Sequence, residues 1–170
     1  FFRINANGTR DFNFNSSGLN GIVRDVVVRE DGSVLIGGDF TSGRAYLNAY
    51  SNTGTADTSF LTTTTIDGPV NSLDLQSDGT LVIGGAFTTF GEAANRFARV
   101  TADNRVDETL NLLGGFDDEV LEVAVRPDGR IWVAGQFAQY QGATANRLTR
   151  LQGNDVPTAI LTQPSDQFVE

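Results

Sequence analysis

Residues 33–40 read SVLIGGDF, and the pattern returns at 80–87 as TLVIGGAF and at 130–137 as RIWVAGQF. Each copy is a short apolar run, a pair of small residues and then a phenylalanine. Val- and Ile-rich runs bounded by turn residues read as strands. A strand printed three times in 170 residues is architecture before it is chemistry.

Just upstream of each copy stands an Asp-Gly pair: Asp31-Gly32, Asp78-Gly79 and Asp128-Gly129. Asp-Gly between two apolar stretches is a hairpin signal. The strand before each turn alternates with a period of two, so that Val26 and Val28 match Leu73 and Leu75, then Val123 and Val125. In the first unit Val27 relaxes the alternation. The paired small residues Gly37-Gly38, Gly84-Gly85 and Ala134-Gly135 fit a bulge or a close approach of backbone. A phosphate-cradling role for them lacks the strand-to-helix context and the following Lys-Ser/Thr pair.

A third strand follows at AYLNAYS, RFARVT and RLTRLQ. The second and third copies carry Arg96 with Arg99 and Arg147 with Arg150; three residues apart on a strand face opposite ways, so neither pair is by itself a ligand clamp. Each unit closes on a turn. Gly8, Asp11 and Phe14 match Gly54, Asp57 and Phe60, then Asn104, Asp107 and Leu110. Gly and Asn accept left-handed backbone, and a short Asp side chain satisfies nearby amides. These aspartates are expected to lock turns.

The chain resembles the delta-sixty repeat family of bacterial β-propeller-like repeats. The stretch VNSLDLQSDGTLVIGGAFTTFGEAANRFARVTADNRVDETL carries the resemblance as one continuous unit. It extends over about residues 1–151 and implies an all-β fold of antiparallel, propeller-like blades, set in large secreted or surface proteins. The family's third-strand pattern falls on Arg99-Val100 and Arg150-Leu151, and the first unit departs from it with Ala49-Tyr50. No catalytic residues carry across. The register gives 1–20 as the tail of a preceding repeat, 21–68 and 69–118 as blades and 119–151 as a final blade, part of a larger propeller or array. Residues 152–170 read as a linker or the start of an immunoglobulin-like domain.

Composition narrows the function classes. Without cysteine or histidine there are no thiolate nucleophiles, disulfides or imidazole bases, and the usual zinc sets are missing. The net charge of -9 disfavours a phosphate-backbone partner. No run reaches the roughly 20 apolar residues of a membrane span. The opening FFRINANG, with no methionine anywhere, suggests a processed chain or a fragment. No cofactor is indicated; calcium stays open without a calcium-loop motif.

The expected function is a non-enzymatic extracellular scaffold or adhesion module that displays the loops Thr41–Arg44, Thr88–Asn95 and Ala138–Asn146. Phe90 and Tyr140 sit at matched places in the two longer loops, either stacking on a sugar or partner or anchoring the loop in the core. With Arg96 and Arg147 they are the candidate contact residues. Expected partners are further repeats, other copies of the chain, a glycan or a surface protein. Two rival readings stand beside this one. A carbohydrate-active enzyme would draw its carboxylates from Asp74, Glu92, Asp117 and Asp118, which break the repeat pattern. A surface filament would join blade edges. Asn7-Gly8-Thr9 and Asn15-Ser16-Ser17 match the glycosylation acceptor pattern, a match expected by chance in an Asn- and Thr-rich chain.

Overall fold

The computed structural model describes residues 2–15, 18–91, 95–108 and 114–152. The fold is all-β and repetitive. Three antiparallel sheets of three strands each follow one another along the chain, with the second strand of each unit in the middle. The first contains β3 (Ile22–Val28), β4 (Val34–Asp39) and β5 (Leu47–Tyr50); the second β6 (Val70–Leu75), β7 (Leu81–Gly85) and β8 (Phe97–Val100). The third contains β9 (Val120–Val125), β10 (Ile131–Gly135) and β13 (Leu148–Leu151), with a two-stranded insertion of β11 (Gln139–Tyr140) and β12 (Ala143–Thr144). Ahead of them lies a small hairpin, β1 (Arg3–Ile4) paired with β2 (Arg10–Asp11).

The three Asp-Gly pairs form the same turn. In the first, Gly32 N–H donates to Arg29 C=O at 2.9 Å and Arg29 N–H to Ser33 C=O at 2.9 Å, with Gly32 at φ 79°. The positive φ is why glycine stands there. Gln76 with Gly79 and Arg126 with Gly129 repeat the pattern. Each first strand also carries a bulge that skips one residue, at Arg24, Asn71 and Leu121.

The core lies between consecutive sheets. Leu35, Leu47 and Ala49 of the first sheet pack with Val70, Leu73, Leu81 and Ile83 of the second. On the second sheet's other face, Val82 and Phe97 pack with Val120, Val123, Ile131 and Val133 of the third. The glycine pairs set this spacing. A Cβ on Gly37 would meet Val70, and one on Gly84 would meet Val120 and Val123. The second glycine of each pair, Gly38, Gly85 or Gly135, lies hard against backbone of its own sheet's first strand or its lead-in.

The period-two reading held for two units and changed for the first. Leu73 and Val123 are 4% and 2% exposed, yet Val26 is 53% exposed and Val28 62%. It is Val27 that packs toward the second sheet. The strand has the expected side-chain alternation, but the face matching Leu73 and Val123 has no preceding sheet against it among the described residues.

The closing turns behave as expected of turn locks. Asp11 accepts Asn13 N–H at 2.9 Å and Asp57 accepts Ser59 N–H at 2.9 Å. Phe14 and Phe60 of these turns are buried, Phe14 with Val34, Ile36, Phe40 and Tyr50, and Phe60 in the core between the first and second sheets. Leu110, their match, lies outside the described residues.

Candidate functional site

The connection from second to third strand is where the units differ, and its base is built the same way three times. After the phenylalanine the chain loops out and returns through a residue at positive φ: Tyr46 at 67°, Arg96 at 65°, Arg147 at 69°. These three donate their N–H to Phe40, Phe87 and Phe137 C=O at 2.9 Å each. Their own C=O groups accept from Gly38, Gly85 and Gly135. Arg96 and Arg147 are therefore corner residues of the loop base. The Arg96 guanidinium turns inward to Ala86 C=O, and Arg147 is exposed.

A side-chain acceptor clamps the start of each loop. Asn20 Oδ1 accepts the N–H groups of Thr41 (2.9 Å) and Ser42 (2.8 Å). Asp67 Oδ1 accepts Thr88 (2.7 Å) and Thr89 (2.8 Å), and Asp117 Oδ1 accepts Ala138 (3.0 Å) and Gln139 (2.8 Å). Burial raises the Asp67 pKa, but hydrogen bonds from Thr88 and Thr89 outweigh it and hold the carboxyl below the ordinary aspartate range. Sequence reasoning missed this clamp. The signal was available, since Asn20, Asp67 and Asp117 each precede the first strand at the same distance from the Asp-Gly turn.

Phe90 and Tyr140 are 0% and 2% exposed. Phe90 lies 5.5 Å from the Phe87 ring, and Tyr140 4.6 Å from Phe116, which in turn lies 4.3 Å from Phe137 with the rings tilted by 44°. Isolated bridges tie Phe90 to Ile66 and Tyr140 to Phe116. Both rings point into the protein and pin the middle of the loop, the core-anchoring alternative of the two read from sequence. The four candidate contact residues thus belong to one structural device, repeated in two units, and do not converge on one pocket.

The described carboxylates among those singled out for enzyme chemistry each accept backbone N–H groups. Asp74 Oδ2 accepts the N–H of Val125 at 2.6 Å, joining the second sheet to the third. Asp117 does not break the pattern: it is the third copy of the clamp. Asp118 Oδ1 accepts Glu119 N–H at 2.7 Å, and Glu92 lies outside the described residues. Glu122 has its pKa pushed up by burial first and then by the charges of Asp25 and Asp74.

A groove of about 1000 Å³ runs between the closing turns of the first two units, with Leu61, Thr63 and Thr65 on one side and Thr101, Asp103 and Arg105 on the other. It is lined by hydroxyls. Asp103 is held below the usual range by Thr101, with Arg105 adding to the effect, the opposite of what a general acid needs. No group of three or more His, Cys, Asp or Glu among the described residues is placed to hold a metal ion, and no helix among them is long and apolar enough to cross a membrane.

Repeated antiparallel sheets packed through their faces are consistent with propeller-like repeats, and the family model for the Rax2 C-terminal beta propeller domain matches residues 6–156. The chain belongs to that family. Of the delta-sixty resemblance this shows the coarser part, a β-propeller-like repeat domain. The match takes in all three sheets of this Rax2-type propeller domain together with the β2 strand ahead of them. No curated protein matches the chain.

Proposed function

We propose that this Rax2-type propeller module is a non-enzymatic scaffold that displays its loops to a ligand outside the cell. One observation carries the reading: the loop base is the same in all three units, with acceptor clamp, phenylalanine and positive-φ corner, while the loop between them varies in length and residue. A fixed frame under variable loops is the division of labour of display folds. Clamping lowers the entropy lost when a loop is held by a partner.

In this reading the units are 21–68, 69–118 and 119–151, preceded by the tail 1–20. Phe90 and Tyr140 act by holding the loops in shape. Arg147, exposed at its corner, is the ligand contact among the four candidates, and Arg96 supports its own loop through Ala86. The bacterial, secreted setting and the finer delta-sixty kinship belong to the same proposal, supported by the repeat motif alone. A glycan or a surface protein is the ligand class proposed.

The test is a glycan and surface-protein binding screen of the purified chain, in calcium and in chelator. Binding is expected, with loss when the exposed loop residues Gln139, Thr144 and Arg147 are replaced together, Gln139 and Thr144 by alanine and Arg147 by glycine, while Phe90 and Tyr140 are kept and the thermal midpoint holds. Reproducible sugar hydrolysis, sensitive to a carboxylate-to-amide change, would overturn the proposal in favour of an enzyme.

A further inference from the structure

The β1–β2 hairpin is built like the end of a blade. Arg3 pairs with Asp11 at 2.6 Å, and Arg99 pairs with Asp107 at the corresponding places of the second unit. In sequence FFRI at 1–4 aligns with FARV at 97–100, so β1 has the register of the third strands β5, β8 and β13. Those three pair with the second strand of their own unit. Among the described residues β1 has one strand neighbour, β2.

Apolar side chains are exposed on β1 and on one face of β3. Ile4 is 59% exposed, where its matches Tyr50, Val100 and Leu151 are buried. Val23 is 42% exposed, where Val70 and Val120 are fully buried, and Val26 contrasts in the same way with Leu73 and Val123. The backbone agrees. Leu73 N–H donates to Asp25 Oδ2 of the preceding sheet at 2.7 Å and Val123 N–H to Ser72 Oγ at 3.2 Å, whereas Val26 N–H turns back to Asp25 Oδ1 of the adjacent residue. Each of these differences falls where a first and a second strand would lie between β1 and the face of β3.

We propose that this face is a docking site for a two-stranded β-hairpin of the same repeat type, whose second strand pairs with β1 and whose face covers Val23 and Val26. The two internal interfaces define the chemistry of the occupant. Its second strand needs glycine opposite Val23, because Gly37 and Gly84 leave no room for a Cβ beside Val70 and Val120. Its first strand needs a short acceptor, Asp or Ser, for Val26 N–H. The β3–β4 and β6–β7 hairpins have both features. The β9–β10 hairpin has Ala134 and Glu122 at those places and fails. A second copy of this chain fits poorly, since in each of its sheets the third strand already occupies the edge that β1 would take. Strand addition to an exposed edge, with main-chain bonds for affinity and side-chain pockets for selectivity, is an established mode of recognition. The inference deepens the scaffold reading by naming a partner of the frame and needs no ligand on the loops, so its failure and that of loop display are separately readable.

The experiment places residues 69–96 of this chain directly ahead of Phe1, which preserves the native spacing between second and third strands. Hydrogen exchange should show protection at Val23 and Val26 and across the added segment, with a higher thermal midpoint than the 170-residue chain. Val26→Arg, or Gly84→Val within the added segment, should abolish both. In parallel, a labelled peptide of residues 69–86 should bind the unextended chain saturably, at least ten-fold more tightly than to its Val26→Arg form and than a peptide of residues 119–136. An added segment without protection overturns the proposal, as does equal binding of the two peptides. Concentration-dependent dimerisation of the unextended chain that Val26→Arg removes would overturn it in favour of a second copy as occupant.

Discussion

Gly37 and Val70 touch so closely across the first two sheets that a Cβ on the glycine would stand 2.5 Å from Cγ1 of the valine. The same contact recurs between Gly84 and Val120, while the third unit has Ala134, which is partly exposed. The glycine is required by the neighbouring sheet and not by its own strand, since no positive φ is involved. Gly37→Ala should therefore destabilise by about 1–3 kcal/mol through overpacking. Ala134→Gly relieves no clash and should cost about 0.5–1 kcal/mol from backbone entropy. Urea denaturation of the two variants checks the contrast; equal costs would show that the spacing of the sheets is not set at this pair.

The corner at Arg147 holds a non-glycine residue at φ 69°, a conformation that costs an L-residue about 1–2 kcal/mol. Its N–H and C=O are both engaged, with Phe137 and Gly135, so the backbone geometry is held by its neighbours. Arg147→Gly should raise stability by about 0.5 kcal/mol, the relief of strain being offset in part by glycine's unfolded-state entropy. Arg147→Val should lower it by about 1–2 kcal/mol, because a branched Cβ fits that region worst. If both are neutral, the corner relaxes and the loop base is less rigid than a display frame requires.

The repeat itself was legible because its determinants are local. Asp-Gly turns, the glycine pair and the phenylalanine that follows act on strands next to them in sequence, and all fell where expected. What the letters could not tell was occupancy: Val26 and Leu73 read alike, and only the presence or absence of a preceding sheet decides which is buried. Asp117 was misread for a different reason. It looked like a departure from the pattern because its match in the first unit is Asn20, a residue of different charge that offers the same acceptor oxygen. The β11–β12 insertion, turning through Gln141 and Gly142 at φ 50° and 78°, gave no strand signal because its strands are two residues long.

Asp67 provides a pH test of the clamp. Its folded pKa is lowered, so the ionised carboxylate favours the native state above the unfolded value, about 3.9, and this contribution is lost as pH falls through the folded value. Asp67→Asn keeps an acceptor for Thr88 and Thr89, as Asn20 does for Thr41 and Ser42. It should lower stability modestly at pH 7, since the charge and the Thr88 Oγ1–H bond to Oδ2 are lost, and make the profile flatter below about pH 4. Asp67→Ala should cost about 0.5–1.5 kcal/mol and speed amide exchange at Thr88 and Thr89. Unfolding curves from pH 2 to 7 decide it; an Asp67→Asn profile as steep as the parent's would remove the carboxylate from the account.

Phe90 separates the two readings of the loop aromatics. As a fully buried ring against Phe87, it should cost about 3–5 kcal/mol on replacement by alanine, and Tyr140→Ala should behave alike. Phe12, 83% exposed, supplies the control: Phe12→Ala should stay within about 0.5 kcal/mol of the parent. Phe90→Leu preserves most of the buried volume and should recover most of the stability. It should also preserve ligand binding if the ring serves only to hold the loop, since leucine fills the core without offering a stacking face. A Phe90→Leu variant that stays folded yet loses binding would show that the loop opens to present the ring, and that the buried position seen here is one of two that the side chain occupies.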